Sequence, residues 1–241
     1  RLFREAQGAV RLRDEFLSIA SHELKTPLTA LLGYAQLLER HTAQSGTLSP
    51  RDQQALGVIV AQAARLNKLI GMLLDITRID RGQLQLNRSP MDIGALAWRV
   101  VADLQPALER HTLIYKVPSE PVWIDGDALR LEQVLYNLID NAVKYTPLGG
   151  DITIDIAQKD AFARLAVADH GVGIPAHALP LLFRRFYRAD TVDNQHISGV
   201  GIGLFIVQEI LTLHGGTIEV ASTEGSGSAF TIYLPLRDRS K

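Results

Sequence analysis

The chain has 241 residues, 46% hydrophobic and 21% charged, with Lys+Arg 25 against Asp+Glu 26 and a formal net charge of -1. This composition excludes wholesale disorder, and the length allows one large domain or two ordinary ones. The charge balance supplies no basic excess for a nucleic-acid interface, and the lack of cysteine excludes disulfides, thiolate metal sites and a cysteine nucleophile.

In chain order, the first element is helical. Phe3, Val10, Leu17, Leu24, Leu31 and Leu38 recur every seven residues, with Ala6, Ala20, Leu28 and Ala35 near the second seam position. Such a repeat marks helices packed along a coiled-coil-like seam. Ser49 caps a second helix, with Pro50 at its first position and Asp52 three after the cap. Its apolar residues Leu56, Ile59, Ala63, Leu66, Ile70 and Leu73 step by three and four as far as Asp80–Gly82. A helical hairpin of this length does not enclose a core alone; it either packs on the second half or pairs with a second copy in a four-helix bundle, and the unbroken seam from Phe3 favours the bundle.

From about Leu86 the texture becomes mixed. Helices are predicted at Asp92–Arg110, Asp127–Tyr145 and Gly203–His214. Strands are predicted at Leu113–Val117, Val122–Ile124, Ile152–Ile156, Phe162–Ala168, Thr217–Ala221 and Ala229–Leu234. Strands and helices without regular alternation point to an α+β sandwich, one sheet covered by helices on one face. The boundary falls in Arg81–Pro90, which divides the chain into residues 1–85 and 86–241. The longest stretch free of acidic and basic residues, Asn194–Gln208, is too short and polar to span a bilayer. Position 1 is Arg with no leader before the first charges, so the chain reads as a soluble piece of a longer protein.

Of seven histidines, His41, His111, His177 and His196 fall in expected loops or helix ends and read as solvated. The heptad places His22 opposite the seam, on the outer face, with Thr26 one turn further and Glu23 beside it. An exposed imidazole with a pKa of about 6.5 is mostly neutral at pH 7 and is a competent nucleophile. A neighbouring carboxylate sharpens it. An ordinary surface histidine has the same features, and the helix alone fits both readings. Pro27 either kinks one continuous helix or starts a new one capped by Thr26; the unbroken seam favours the kink.

In the second half, Leu131, Leu135, Leu138 and Ala142 form the core face of a helix whose other side carries Asn137, Asn141 and Lys144. Asparagine carbonyls suit a hard cation such as Mg²⁺ and lysine suits phosphate, although a solvated face has the same pattern. Asp169 shares strand parity with Leu165 and Val167 and so points toward the buried side. A carboxylate there is costly unless it binds something or caps a turn. Gly171 and Gly173 leave backbone room for a flat base. Gly199, Gly201 and Gly203 feed the helix that Leu204 begins, where amides and dipole favour phosphate oxygens. The intervening Ala176–Ser198 reads as a mobile lid, anchored by Phe183 and Phe186, with Arg188 within reach of a γ-phosphate. Gly225 and Gly227 open the last hairpin.

The run Phe16-Leu17-Ser18-Ile19-Ala20-Ser21-His22-Glu23-Leu24-Lys25-Thr26-Pro27-Leu28 closely resembles the H-box of sensor histidine kinases of two-component systems. The later segments resemble, in order, the N, G1, F, G2 and G3 motifs of that family's ATP-binding domain. Its fold is shared with DNA gyrase, heat-shock chaperone ATPases and mismatch-repair ATPases. The resemblance implies that His22 accepts a phosphoryl group, that Glu23 polarises it, and that Thr26 orients water to dephosphorylate a partner. It further implies an Mg-ATP site lined by Asn137, Asn141, Lys144 and Tyr145, with Asn141 as Mg²⁺ ligand. By the same resemblance Asp169 reads the adenine amino group between Gly171 and Gly173, while Arg188, Gly199, Gly201, Gly203 and Leu204 meet the phosphates. Asp140 stands where the family often has Asn. The expected protein is the cytoplasmic core of a homodimeric kinase, from a parent either soluble or membrane-anchored. It would autophosphorylate His22 with ATP, pass the phosphoryl group to an aspartate of a response-regulator receiver domain, and dephosphorylate that regulator.

Overall fold

The structure, a computed structural model, describes residues 24–38, 40, 49–188 and 200–237. Two units divide the chain, Arg1–Arg81 and Gly82–Lys241.

In the first unit, helix α1 (residues 24–38) continues through Pro27 without a break. In that turn Thr29 Oγ1 donates to the Lys25 carbonyl at 2.8 Å, the back-bond that helical threonines make. Helix α2 (Pro50–Asp80) opens as its sequence requires. Ser49 Oγ accepts the Asp52 amide at 3.3 Å, and Asp52 Oδ2 accepts the Ser49 amide at 2.8 Å and its hydroxyl at 2.7 Å. Such a reciprocal cap contributes about 1 kcal/mol.

The inward face of α2 differs from the expected seam. Ala55, Leu69 and Ile76, in one heptad phase, are buried, whereas Leu56 and Ile70 are exposed together with Val60 and Leu74. Leu28, Leu32 and Leu37 are likewise exposed on α1. Of the expected α2 seam, Ile59, Leu66 and Leu73 are half-buried beside that inward face, and Leu56 and Ile70 belong to the exposed stripe. By length and composition alone, α2 is also long and apolar enough to cross a membrane.

The second unit begins with β1 (Ser89–Asp92), antiparallel to β3 (Trp123–Gly126). Residues 89 and 90, expected in a connection, are thus strand; a proline is tolerated because the ribbon is only two strands wide. Helix α3 (Ile93–Leu104) is capped by Asp92, whose Oδ1 accepts the amides of Gly94 at 3.0 Å and Val122 at 3.1 Å. It stops short of the expected Arg110. Pro106, lacking an amide proton, converts the end to a 3₁₀ turn, Gln105–Ala107.

The main sheet has the order β2-β4-β5-β7-β6, from β2 (His111–Lys116), β4 (Gly150–Lys159), β5 (Phe162–Asp169), β6 (Thr217–Thr223) and β7 (Gly227–Pro235). Only β2–β4 is parallel, and α4 (Ala128–Lys144) lies in that crossover. Alternate residues Ile152, Ile154 and Ile156 on β4 and Phe230, Ile232 and Leu234 on β7 are buried, as a sheet covered on one face demands. The covering layer comprises α3, α4 and α5 (Gly203–Leu213). On α4 the residues Leu131, Leu135, Leu138 and Ala142 face inward as their spacing required.

One junction ties the helix ends together. Asp127 caps α4 by accepting the Arg130 amide at 3.2 Å, and also accepts the Asn87 amide at 2.9 Å. The Asp127 amide donates to His214 Nε2 at 3.0 Å, and His214 Nδ1 donates to the Ile210 carbonyl at 2.7 Å. These partners require the neutral tautomer protonated on Nδ1. Beside it, the Arg88 guanidinium donates to the Leu213 carbonyl.

Burial lowers the His214 pKa below the ordinary histidine value. A lowered folded pKa contributes stability that is complete above the unfolded value of about 6.5 and is lost as pH falls through the folded value. Urea unfolding at pH 7.5, 6.5 and 5.5 should show the wild type weakening on acidification. His214→Gln should lose about 1–3 kcal/mol at pH 7.5 and change less with pH. Equal acid slopes in the two proteins would remove His214 as their source.

Candidate functional site

The expected site residues of the second unit lie along α4, at the end of β5 and at the start of α5. On α4, Asn137 is only 8% exposed, not part of a solvated stripe. Its Oδ1 lies 3.3 Å from where a Cβ on Gly203 would stand, so glycine is what lets α5 begin against the asparagine amide. No side chain caps that helix start, which leaves first-turn amides to be satisfied from outside. Asn141, half-buried, stands one turn further along α4.

Lys144 was expected on phosphates. Here it is exposed, and its Nζ pairs with Asp140 Oδ2 at 2.8 Å. A surface i,i+4 pair contributes only about 0.3–0.5 kcal/mol, so a polyanion competes with it easily. Tyr145 ends α4. Burial raises its phenol pKa, while the Arg188 cation acts in the opposite sense, which brings Arg188 within electrostatic reach of this edge.

Asp169 is 7% exposed at the end of the central strand β5. Burial raises its pKa above the usual carboxylate value, against the opposing effect of amide donors from Gly171 and Ser228. The Gly171 amide lies 2.9 Å from Asp169 Oδ1.

The glycines after Asp169 serve first to let the chain approach itself. A Cβ on Gly171 would stand 2.0 Å from the Tyr145 carbonyl oxygen, and that carbonyl accepts the Val172 amide at 2.9 Å. Gly173, at φ +68°, passes equally close to the Thr223 carbonyl, and the Gly225 amide donates to the Val172 carbonyl at 2.7 Å. Gly227, at φ +98°, presses on the Asp169 carbonyl. The loop floor is therefore clamped between α4 and the β6–β7 hairpin.

Residues 176–188, expected to begin a lid, are seated instead. Ala178 and Leu182 are buried, and the Phe186 amide donates to the Gly201 carbonyl at 2.9 Å. The Arg185 guanidinium lies 4.3 Å from the Phe205 ring centroid on α5, close enough for a cation–π contact. Leu204 is half-buried in the first turn of that helix. Gly199, His22 and Glu23 lie outside the described residues, whereas Thr26 is exposed on α1.

Four polar residues here escaped the sequence reading. His111, expected to be solvated, has its Nε2 2.9 Å from the Thr146 carbonyl. Thr146 is buried, with Oγ1 donating to the Ala142 carbonyl at 2.8 Å. Ser222 and Ser228 face one another across β6 and β7 with their hydroxyls 2.9 Å apart. Their cue was two serines at matching strand positions astride a glycine hairpin.

Comparison with known proteins gives one picture. Residues 126–238 match the family model for the histidine kinase-, DNA gyrase B- and HSP90-like ATPase, and residues 12–82 match the His kinase A phospho-acceptor domain. The circadian input-output histidine kinase CikA of Thermosynechococcus vestitus is 35% identical over 233 residues, 95% of this chain but 32% of that protein. The chain thus spans about a third of that relative. Among solved structures, the mycobacterial sensor histidine kinase MprB is 30% identical with a TM-score of 0.56, covering 62% of this chain and 99% of that one. The Acinetobacter baumannii histidine kinase AdeS superposes with a TM-score of 0.64 at 28% identity, over 90% and 98% of the two chains.

The clamp makes a steric prediction. Gly171→Ala should cost more than about 3 kcal/mol in urea unfolding, because backbone meets the new methyl group. Gly225→Ala, where φ is +77° but no atom lies within 4 Å, should cost only about 1 kcal/mol. Comparable losses at the two positions would mean that Gly171 is not a contact point.

Proposed function

The chain belongs to the sensor histidine kinases of two-component systems, and from that premise we propose that it is a catalytic core transferring the γ-phosphoryl group of ATP to His22 and onward to an aspartate of a response regulator. Two observations carry this reading: buried Asp169 opens a loop packed on the end of α4, and buried Asn137 of the same helix stands against the uncapped start of α5.

In this reading the Asp169 carboxylate accepts the adenine amino group, and the amides at the start of α5 receive phosphate oxygens. Arg188 and Lys144 add positive charge at the open edge. A Mg²⁺ ion, when bound, would neutralise phosphate charge, with the Asn141 side-chain oxygen as its protein ligand. No group of three or more His, Cys, Asp or Glu residues suited to a metal occurs among the described residues. That fits an ion taking most of its oxygens from nucleotide and water. The free imidazole nitrogen of His22 forms a bond to the γ-phosphorus as the bridge to the β-phosphate breaks, and ADP leaves. Positioning and charge neutralisation carry most of the catalysis.

The domains in this proposal are residues 1–85 for dimerisation and phosphotransfer and 86–241 for ATP binding. The connection after Arg81 must let donor and acceptor meet. The exposed Leu28 and Leu32 on α1 and the stripe Leu56, Val60, Ile70 and Leu74 on α2 suit a second copy, completing a four-helix bundle. Arg65 and Lys68 interrupt the apolar run on α2, which fits a bundle helix better than one surrounded by lipid. ATP as donor places the reaction in the cytoplasm.

With γ-labelled ATP and Mg²⁺, the protein should acquire label that is stable to alkali and lost in acid. His22→Gln should abolish labelling while nucleotide binding persists, and Asn141→Ala should remove the Mg²⁺-dependent reaction. Label retained in His22→Gln would overturn the assignment.

Thr26 is exposed on α1, where its hydroxyl could hold the water that attacks a regulator phospho-aspartate. Thr26→Ala should keep autophosphorylation and forward transfer but slow loss of phosphate from the regulator about tenfold or more. An unchanged dephosphorylation rate in the folded variant would exclude that role.

A further inference from the structure

We infer that Ser222, in β6 outside the Asp169 loop, is a positioning residue that sets the geometry of the adenine-reading carboxylate; this rests on the proposed role of Asp169. Its hydroxyl joins three segments. Ser222 Oγ donates to the Gly227 carbonyl at 2.8 Å and accepts the Ile174 amide at 2.9 Å. The Ser228 hydroxyl lies 2.9 Å away. Because the single Ser222 proton is committed to Gly227, the Ser228 hydroxyl must be the donor in that pair. Ser222 thus makes one donated and two accepted bonds, which exhausts its capacity.

Each partner leads to Asp169. Ser228 supplies a backbone amide to the carboxylate and is its register partner across β5 and β7. Gly227 stands against the Asp169 carbonyl, with no room for a Cβ. Ile174 follows Gly171 and Gly173, whose backbones form the loop floor. One hydroxyl therefore fixes the separation between the end of β5, the loop and the hairpin. That separation decides how the carboxylate meets a base.

Removing the hydroxyl strands the Ile174 amide and the Ser228 proton and releases the loop from the hairpin, so their separation is no longer held. Autophosphorylation of the full chain, followed against ATP and GTP concentration, should show Ser222→Ala raising the KM for ATP about tenfold and compressing the preference for ATP over GTP. The kcat at saturating ATP should stay within about twofold, because the groups at the phosphates are untouched. Ser222→Thr, which keeps the hydroxyl, should restore both values. An unchanged KM and nucleotide preference in Ser222→Ala, with Asp169→Asn altering them, overturns the role of Ser222 alone. No change in either variant overturns the adenine role of Asp169 and this inference with it. A fall in kcat and melting temperature at constant KM reduces Ser222 to a structural residue and also overturns it. Should Ser222→Ala fail to fold, the near-isosteric pair Ser222→Thr and Ser222→Val replaces it, and equal KM values for that pair overturn the inference.

Discussion

A carboxylate held in the apolar layer at the end of a central strand is the constraint around which the second unit is arranged. Desolvation disfavours the charge of Asp169, and its protein partners are the backbone amides of Gly171 and Ser228. Supplying those amides obliges the chain to turn back immediately after β5 and to bring β7 alongside. The turn closes only because Gly171 touches the Tyr145 carbonyl and Gly227 touches the Asp169 carbonyl. The glycines of this region are thus required by the protein's own backbone before any ligand enters. The fold leaves the carboxylate under-solvated, so a ligand that offers a hydrogen-bond donor recovers free energy the fold has given up.

Helix α5 extends that arrangement along α4. Its first residue, Gly203, abuts Asn137 on α4, and its C-cap, His214, receives the amide of Asp127 at the start of α4. The two helices are tied by a hydrogen bond at one end and by close approach at the other, while apolar residues such as Leu135, Leu138, Ile206 and Ile210 fill the layer beneath. A shift of α5 would strain a buried imidazole at one end and a buried amide at the other. The uncapped amides are consequently presented on a rigid element, as the proposed phosphate contact requires.

What the sequence made legible follows from how local each signal is. The caps at Ser49 and Asp127 were readable because donor and acceptor lie within one turn. The inward face of α4 was readable because its spacing is helical. Asp169 was readable because strand parity is local. Asn137 was expected on a polar stripe, but it is buried and faces Gly203, which only the fold brings near. His214 carried no sequence signal at all, since its partners are a helix cap and a carbonyl. The apolar faces of α2 were legible only in part, for another reason. A helix with two apolar faces offers two heptad phases, and periodicity does not say which one its own chain covers.

That last ambiguity has an energetic side that separates the two units. The ATP-binding unit buries its large aliphatic residues within itself, with Leu131, Leu135, Ile152, Ile154 and Ile206 almost inaccessible. The helical unit leaves Leu32 at 52%, Leu37 at 53%, Val60 at 67% and Leu74 at 52% exposed. Fully burying one such side chain contributes about 1.5–3 kcal/mol, and a single small domain has only about 5–15 kcal/mol to lose. Covering even part of these stripes is therefore comparable to the whole stability of a hairpin this size. It follows that the stability of the helical unit is tied by mass action to the concentration of whatever covers the stripes, whereas that of the sandwich is not. A phosphoacceptor helix whose own packing depends on a neighbour is one whose geometry the neighbour can alter, and a signal reaching α1 needs only to change how the stripes are covered.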